Sequence, residues 1–181
     1  YFSGEEFSEA ELTRGVRLGV RNGEIRPVFS GSATHSVGIE RLMDLIVKYF
    51  PTYGEAGSII VKDANTNEEV MLETNEKETL CAQVFKTIVD PFVGRISYIK
   101  VLSGVLSSDS NVYNTNKDKM EKISTIFIVK GKHQTAVGKL FTGDIGAVVK
   151  LQYTQTNDTL CEKGKAFVAD PIKFSTPMYG M

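Results

Sequence analysis

The chain has 181 residues, 41% of them hydrophobic, and a formal net charge of −1, which is enough for one ordinary domain or a small domain joined to part of another. No apolar run approaches the roughly 18 residues that a membrane span needs. Residues Tyr1 to Glu6 have neither the basic nor the apolar region of a signal peptide, so a folded chain in a cytoplasmic setting is expected, with no membrane partner. Cys81 and Cys161 lie far apart without Cys-x-x-Cys spacing, and His35 and His133 are the only imidazoles. That pattern argues against a disulfide framework, a zinc centre or a thiol hydrolase, and for two buried core thiols.

In chain order, Ser8-Glu9-Ala10-Glu11 fits a capping box, and Leu12, Val16 and Val20 follow at helical spacing. The spacing predicts a helix from about Ser8 to Arg21, stopped by a left-handed turn at Asn22-Gly23. Ile25 to Phe29 reads as a short strand, with Pro27 at a place that needs no ladder donor. A small-residue loop, Ser30 to Thr34, leads to a second amphipathic helix with Ile39, Leu42, Leu45, Ile46 and Tyr49 on one stripe, ended by Pro51. Helix, strand, loop and helix in this order are what the last unit of a parallel α/β sheet shows.

Residues 52–78 are acidic and rich in Asn and Thr, with the apolar patches Ile59-Ile60-Val61 and Val70-Met71-Leu72 around Asp63 to Asn67. They read as a connector carrying an exposed hairpin. From Leu80 the hydrophobic period becomes two. Strands are predicted at Leu80–Val89, Ile96–Leu102, Val112–Tyr113, Met120–Val129, Ile145–Leu151 and Ile172–Phe174, split by turns at Ser103-Gly104, Lys130-Gly131, Thr142-Gly143-Asp144 and Asn157-Asp158. Many short strands and no helix point to a small antiparallel barrel. The predicted fold is therefore mainly β: an antiparallel β-barrel preceded by a small α/β segment.

Charge is distributed unevenly. Six Lys/Arg stand against seven Asp/Glu in residues 1–54, two against seven in 55–78, and thirteen against eight in 79–181. The last stretch is a basic unit that could sit on a phosphate backbone through Lys86, Arg95, Lys100, Lys117, Lys119, Lys122, Lys130, Lys132 and Lys139. A solvated lysine face would look the same.

The run Cys81 to Tyr98, with Asp90-Pro91-Phe92-Val93-Gly94 at its centre, resembles the opening of the second domain of elongation factor G and its relatives. Further matches follow in the same order. They are Val101 to Leu106, Glu121-Lys122-Ile123, Ala136 to Leu140 with Gly143 to Val148, Thr156 to Cys161, and Pro171 to Phe174 with Pro177. Upstream, Pro27 to Ala33 is similar to the last guanine-recognition motif of translational GTPases, although a lone Gly-Ser-Ala also occurs in ordinary loops before helices. The resemblance divides the chain into 1–51, the end of a GTP-binding domain; 52–78, the acidic connector; 79–175, the barrel; and 176–181, the start of a linker to a following domain.

The resemblance implies that Ser32 and Ala33 face the guanine carbonyl while Gly31 lets the chain approach closely. Asn157 stands where relatives usually have Gly; Asn also tolerates a left-handed backbone, so the turn should survive. No Gly-x-x-x-x-Gly-Lys-[Ser/Thr] loop, Asp-x-x-Gly switch or Asn-Lys-x-Asp motif is found, and Asn116-Lys117-Asp118 lacks the spacing of the last. The chain is therefore expected to be no enzyme and to hold no cofactor by itself, whereas the resemblance gives GTP and Mg to an intact GTPase parent.

For the barrel, the resemblance implies packing against the nucleotide domain and docking on small-subunit ribosomal RNA. Lysines and arginines on rigid strands suit that task, because an RNA helix is gripped through phosphates and 2′-hydroxyls. The Asp90–Arg95 loop can be read as a projecting contact through Phe92 and Arg95, or as a barrel corner with Phe92 packed inside and Asp90 capping its own loop. For Gly143-Asp144 a tight turn is the expected role. Translocation, ribosomal protection against tetracycline and release-factor-type action share this barrel; a stand-alone β-barrel binding another protein is the reading from a different class.

Overall fold

A computed structural model describes residues 6–91, 93–176 and 178. They form two compact units, one reaching Ala56 and one beginning at Gly57.

The first unit is built on α1, Glu9–Arg21, and α2, Ile39–Tyr49. The Ser8 hydroxyl accepts from Glu11 N at 3.3 Å and Glu11 Oε2 accepts from Ser8 N at 2.9 Å, the reciprocal bonds of the predicted capping box. At the other end Glu24 N donates to Gly19 O and Gly23 N to Val20 O, with Gly23 left-handed at φ 75°, a Schellman stop. A 3-10 turn, Tyr53–Ala56, follows α2. Arg17 joins it to α1, bonding Glu55 at 2.6 Å and Lys48 O at 3.1 Å. The Arg17 guanidinium, then the Thr52 amide and hydroxyl, hold the Glu55 carboxyl down at about 2.

The strand predicted at Ile25–Phe29 is absent: the segment has no regular secondary structure and no ladder partner among the described residues. A strand is defined by its neighbour, and none is described beside this segment. Val28 is 96% exposed and Val47 of α2 is 80% exposed. The apolar stripes of this unit are thus only partly covered, and no residue of α2 is fully buried.

Among the described residues the second unit holds thirteen strands, β1 to β13. The first is Ser58–Asp63 and the second Glu69–Glu73; then come Cys81–Asp90, Gly94–Ser103, Leu106–Ser107, Ser110–Asn114 and Lys119–Ile123 as β3 to β7. Ile126–Lys130, His133–Val137, Lys139–Leu140, Ile145–Val149, Thr159–Cys161 and Phe167–Val168 are β8 to β13. All strand pairs are antiparallel. The large sheet has the order β7-β6-β12-β3-β4-β11-β8-β9, beside a β10–β5 ribbon and a small β13-β1-β2 sheet.

The connection from β7 to β8 forces the large sheet to roll. These strands are six positions apart in the sheet, about 29 Å if it lay flat at ~4.8 Å per strand. Yet only Ser124 and Thr125 separate them in the chain, so the Cα atoms of Ile123 and Ile126 lie within about 11 Å, three Cα steps. Both side chains enter one core with Val84, Ile99, Val101, Leu106, Val112, Leu140, Val148 and Leu160. The expected barrel is the result. The predicted strand Met120–Val129 is accordingly two strands, divided where the chain crosses from one sheet edge toward the other.

The connector hairpin exists as β1–β2, but it also pairs through Lys62↔Val168 and Asp63↔Phe167 with β13. Its inner face, Val61 and Leu72, buries a second small core with Cys81, Cys161 and Phe167. The hairpin therefore covers one side of the barrel unit, because two apolar faces exclude water together.

The long link between β11 and β12 is held by one buried carboxylate. Glu121 of β7 accepts from Gln152 N, Tyr153 N, Thr154 N and the Thr154 hydroxyl at 2.6–3.0 Å. Asn114 donates to the Thr154 hydroxyl and to Asp158 beside it. Buried carboxylates persist only with such complete partnering.

Asn157 adopts the predicted left-handed backbone, φ 76°. Its side chain does something a glycine could not: Oδ1 accepts from Ile172 N at 2.9 Å and Nδ2 donates to Ile172 O at 3.1 Å. Gln83 donates to Asp170 O as well. The segment around Ile172–Phe174 is therefore pinned to the barrel by side chains and is not the strand predicted there. Asn157→Gly should keep the turn yet lose about 1 kcal/mol of local tethering. Ile172 amide exchange is expected to quicken roughly fivefold, and an unchanged rate would show the clamp to be inert.

Candidate functional site

The Gly31-Ser32-Ala33 loop is closed by a two-way backbone pair, Ser32 N to Val37 O and Val37 N to Ser32 O, each 3.0 Å. Ser36 N donates to Ala33 O at 3.3 Å, and Ser36 itself is left-handed at φ 53°. Gly38, at φ 78°, is the residue before α2. A Cβ on Gly31 would lie 2.9 Å from Val37 O, and one on Gly38 3.1 Å from the Phe29 ring. Both glycines thus let this turn close tightly against its own backbone and against Phe29. Gly31 and Ala33 are exposed and Ser32 is half-buried.

The basic residues separate into three groups. Lys86 of β3 and Lys100 of β4 lie on the β3–β4 ribbon with Arg95, which is exposed beside the Gly94 turn at its tip. Lys86 Nζ stands 6.0 Å from the Tyr98 ring centroid, its cross-strand partner. Lys117, Lys119 and Lys122 belong to the β6–β7 hairpin, where Lys117 donates to Gln155 at 3.3 Å and lies 4.0 Å from Asp158. Lys130 and Lys132 flank Gly131 in the β8–β9 turn, and Lys139 opens β10. Apart from half-buried Lys100, all of these are exposed. Lys86, Arg95, Lys119, Lys122, Lys130 and Lys132 form no ion pair among the described residues.

The β3–β4 tip has a corner's geometry. Asp90 pairs with Gly94 across the ladder, its Oδ1 accepts from Val93 N at 2.9 Å, and Gly94 is left-handed at φ 85°. Asp90 thus caps its own loop. Phe92 lies outside the described residues, as does Pro177. Gly143 is likewise a turn residue, φ 92°, with Asp144 Oδ2 accepting from Phe141 N.

Two features escape a reading of sequence. Outward-facing Ile96, Ala147 and Val149 are buried with Ile88, Tyr98, Phe127 and Val129, an apolar strip on the outer surface of β3, β4, β11 and β8. Its signal is the unbroken apolar run Ile126 to Val129, which cannot alternate and so must be covered on both faces. The other feature is the meeting of Cys81 and Cys161, directly opposed in the β3–β12 ladder and both buried. Sequence separation hides it.

Residues 79–163 match the sequence model of elongation factor G domain 2. The elongation factor G proteins of Chlamydia trachomatis serovars D and A are each 36% identical to this chain over 98% of its length. The chain belongs to the elongation factor G family. It spans about a quarter of those relatives, 26% of their length. A crystal structure of ttk003000868 from Thermus thermophilus shares the fold, with a TM-score of 0.70 at 22% identity, over 91% of this chain and 22% of that one.

Within this family member, the tightness of the Ser32–Val37 turn is directly testable. Gly31→Ala should push Val37 O away from Ser32 N, and losing that bond costs about 1 kcal/mol. Ser32 amide exchange is expected to rise roughly fivefold, whereas unchanged exchange would show that the close approach is dispensable.

Proposed function

We propose that the chain is an interior segment of a ribosome-dependent GTPase that acts in translation elongation in the cytoplasm. In this reading the barrel docks on small-subunit ribosomal RNA and relays the state of the nucleotide domain. The observation that carries the proposal is the set of exposed cations, Lys86, Arg95, Lys119, Lys122, Lys130 and Lys132, that find no carboxylate among the described residues. Cations left unpaired on strands and tight turns are placed to replace the counterions of a phosphate backbone. Among the described residues no helix is long and apolar enough to cross a membrane.

Relay follows from rigidity. A rolled sheet with one closed core moves as a body, since packed interiors deform little, so contact at one side is felt at the others. Loop 31–33 supplies one edge of the guanine pocket in the parent. Ser32 N is engaged by Val37, so the amide that could meet a base carbonyl is that of Ala33. Phosphate and Mg contacts belong to parts of the parent that this chain does not contain, and GTP is not bound by it alone. The partly covered stripes of α1 and α2 suit packing against the rest of that nucleotide domain.

The chain is expected to cosediment weakly with small ribosomal subunits and to lose that association steeply between about 50 and 200 mM salt. Each of Lys86→Gln and Lys122→Gln should lower the salt slope by about one. Calorimetry with GTP should show no binding. Micromolar GTP affinity would overturn the proposal, and salt-independent capture by a protein partner would favour the stand-alone interaction module.

A further inference from the structure

Cys81 and Cys161 are Cα partners in the antiparallel β3–β12 ladder. Val84 N donates to Asp158 O at 2.9 Å, which fixes the phase of that ladder. Counting in twos from Val84/Asp158, the hydrogen-bonded pair is Ala82/Leu160, and Cys81/Cys161 falls on a non-hydrogen-bonded position. Thr115 N donates to Thr159 O on the opposite side of β12, as this phase requires. At such positions the Cα atoms are about 4.5 Å apart and side chains are closest, inside the roughly 4.4–6.8 Å span of disulfides.

The side chains already face each other. The neighbouring Cys161 thiol, together with burial, pushes the Cys81 thiol upward. Cys161 Sγ donates in turn to Phe167 O at 3.4 Å. Both thiols lie in the small core under Val61, Leu72 and Phe167. That cover is slight: β13 has only two residues and meets β1 through two registered pairs. Short, weakly paired elements are the ones that open locally while the rest stays folded.

We propose that Cys81 and Cys161 are a latent cross-strand redox pair, which hydroperoxides close to a disulfide when the cover formed by β1, β2 and β13 opens. Ionised Cys161, across the ladder from Cys81, attacks one oxygen of hydrogen peroxide. The O–O bond breaks, the leaving hydroxide takes a proton as water, and Cys161 becomes a sulfenic acid. Cys81 sulfur then attacks the Cys161 sulfur; the S–S bond forms, the S–O bond breaks, and a second water leaves with the Cys81 proton. Two electrons pass from the two sulfurs to one peroxide. The disulfide also removes the S–H that Cys161 gives to Phe167 O, so closure withdraws one of the bonds that hold β13.

The chain is treated with hydrogen peroxide, alkylated after denaturation, and weighed intact. The main product should be a monomer lighter by two hydrogens, resistant to alkylation until reduced, with a Cys81–Cys161 cross-link on peptide mapping. Phe167→Ala should speed its formation several-fold. Cys81→Ala should give no cross-linked monomer and should carry Cys161 on to the sulfinic acid. Full alkylation of both thiols after peroxide, or linkage between chains in place of within one, would overturn the pair. An unaltered rate in Phe167→Ala would overturn gating by the cover.

Discussion

The two-residue link between β7 and β8 is the constraint on which the barrel unit depends. Ser124 and Thr125 join strands that stand six places apart in the sheet, and the chain cannot span a flat sheet in three steps. Rolling follows from covalent geometry, and hydrophobic burial then fills the inside. Ile123 and Ile126, the residues that flank the link, are fully buried, so the chain passes this point with its apolar side inward. Gly146 of β11 shows how tight the interior is, since a Cβ there would meet Leu140 at 2.5 Å.

Once the sheet is rolled, the outside carries the cations on which the proposed RNA contact depends. Alternation along β4 sends Ile99 and Val101 into the main core and Ile96, Tyr98 and Lys100 outward. Lysines on such strands are held by the ladder on either side and lose little further backbone freedom on binding. The buried Glu121 extends this order to the β11–β12 link, and the Asn157 clamp extends it to the segment leaving the barrel. Each uses a polar side chain to fix backbone that has no ladder of its own.

Much of this was legible in the sequence where strands are long and one-sided. The strands β3 and β4 follow from alternating apolar residues, β11 from an apolar run buried on both faces, and the turns at Gly104, Gly131, Gly143 and Asn157 from residues that tolerate positive φ. The strands β5, β10 and β13 are two residues long, too short for any period to show. The strand β9, His133–Val137, is exposed along nearly all its length and so has no apolar face to read. The strand predicted at Ile25–Phe29 fails for the opposite reason: its residues suit a strand, but no partner is described beside it.

For the site, individual cations could be picked from the sequence, whereas their grouping depends on register and could not. The same holds for Cys81 and Cys161, whose opposition is a property of the β3–β12 pairing alone. The Gly31-Ser32-Ala33 turn was legible as a motif, yet the engagement of Ser32 N by Val37 is visible only in three dimensions. A rolled barrel with exposed cations, unpaired among the described residues, is thus what the proposed RNA docking rests on. Hydroxyl-radical footprinting of small-subunit ribosomal RNA with this chain tests it most directly. A discrete, salt-sensitive protection of one helical region, weakened when Lys86, Arg95 and Lys122 are replaced together, is the predicted result; RNA cleavage identical with and without the chain would contradict it.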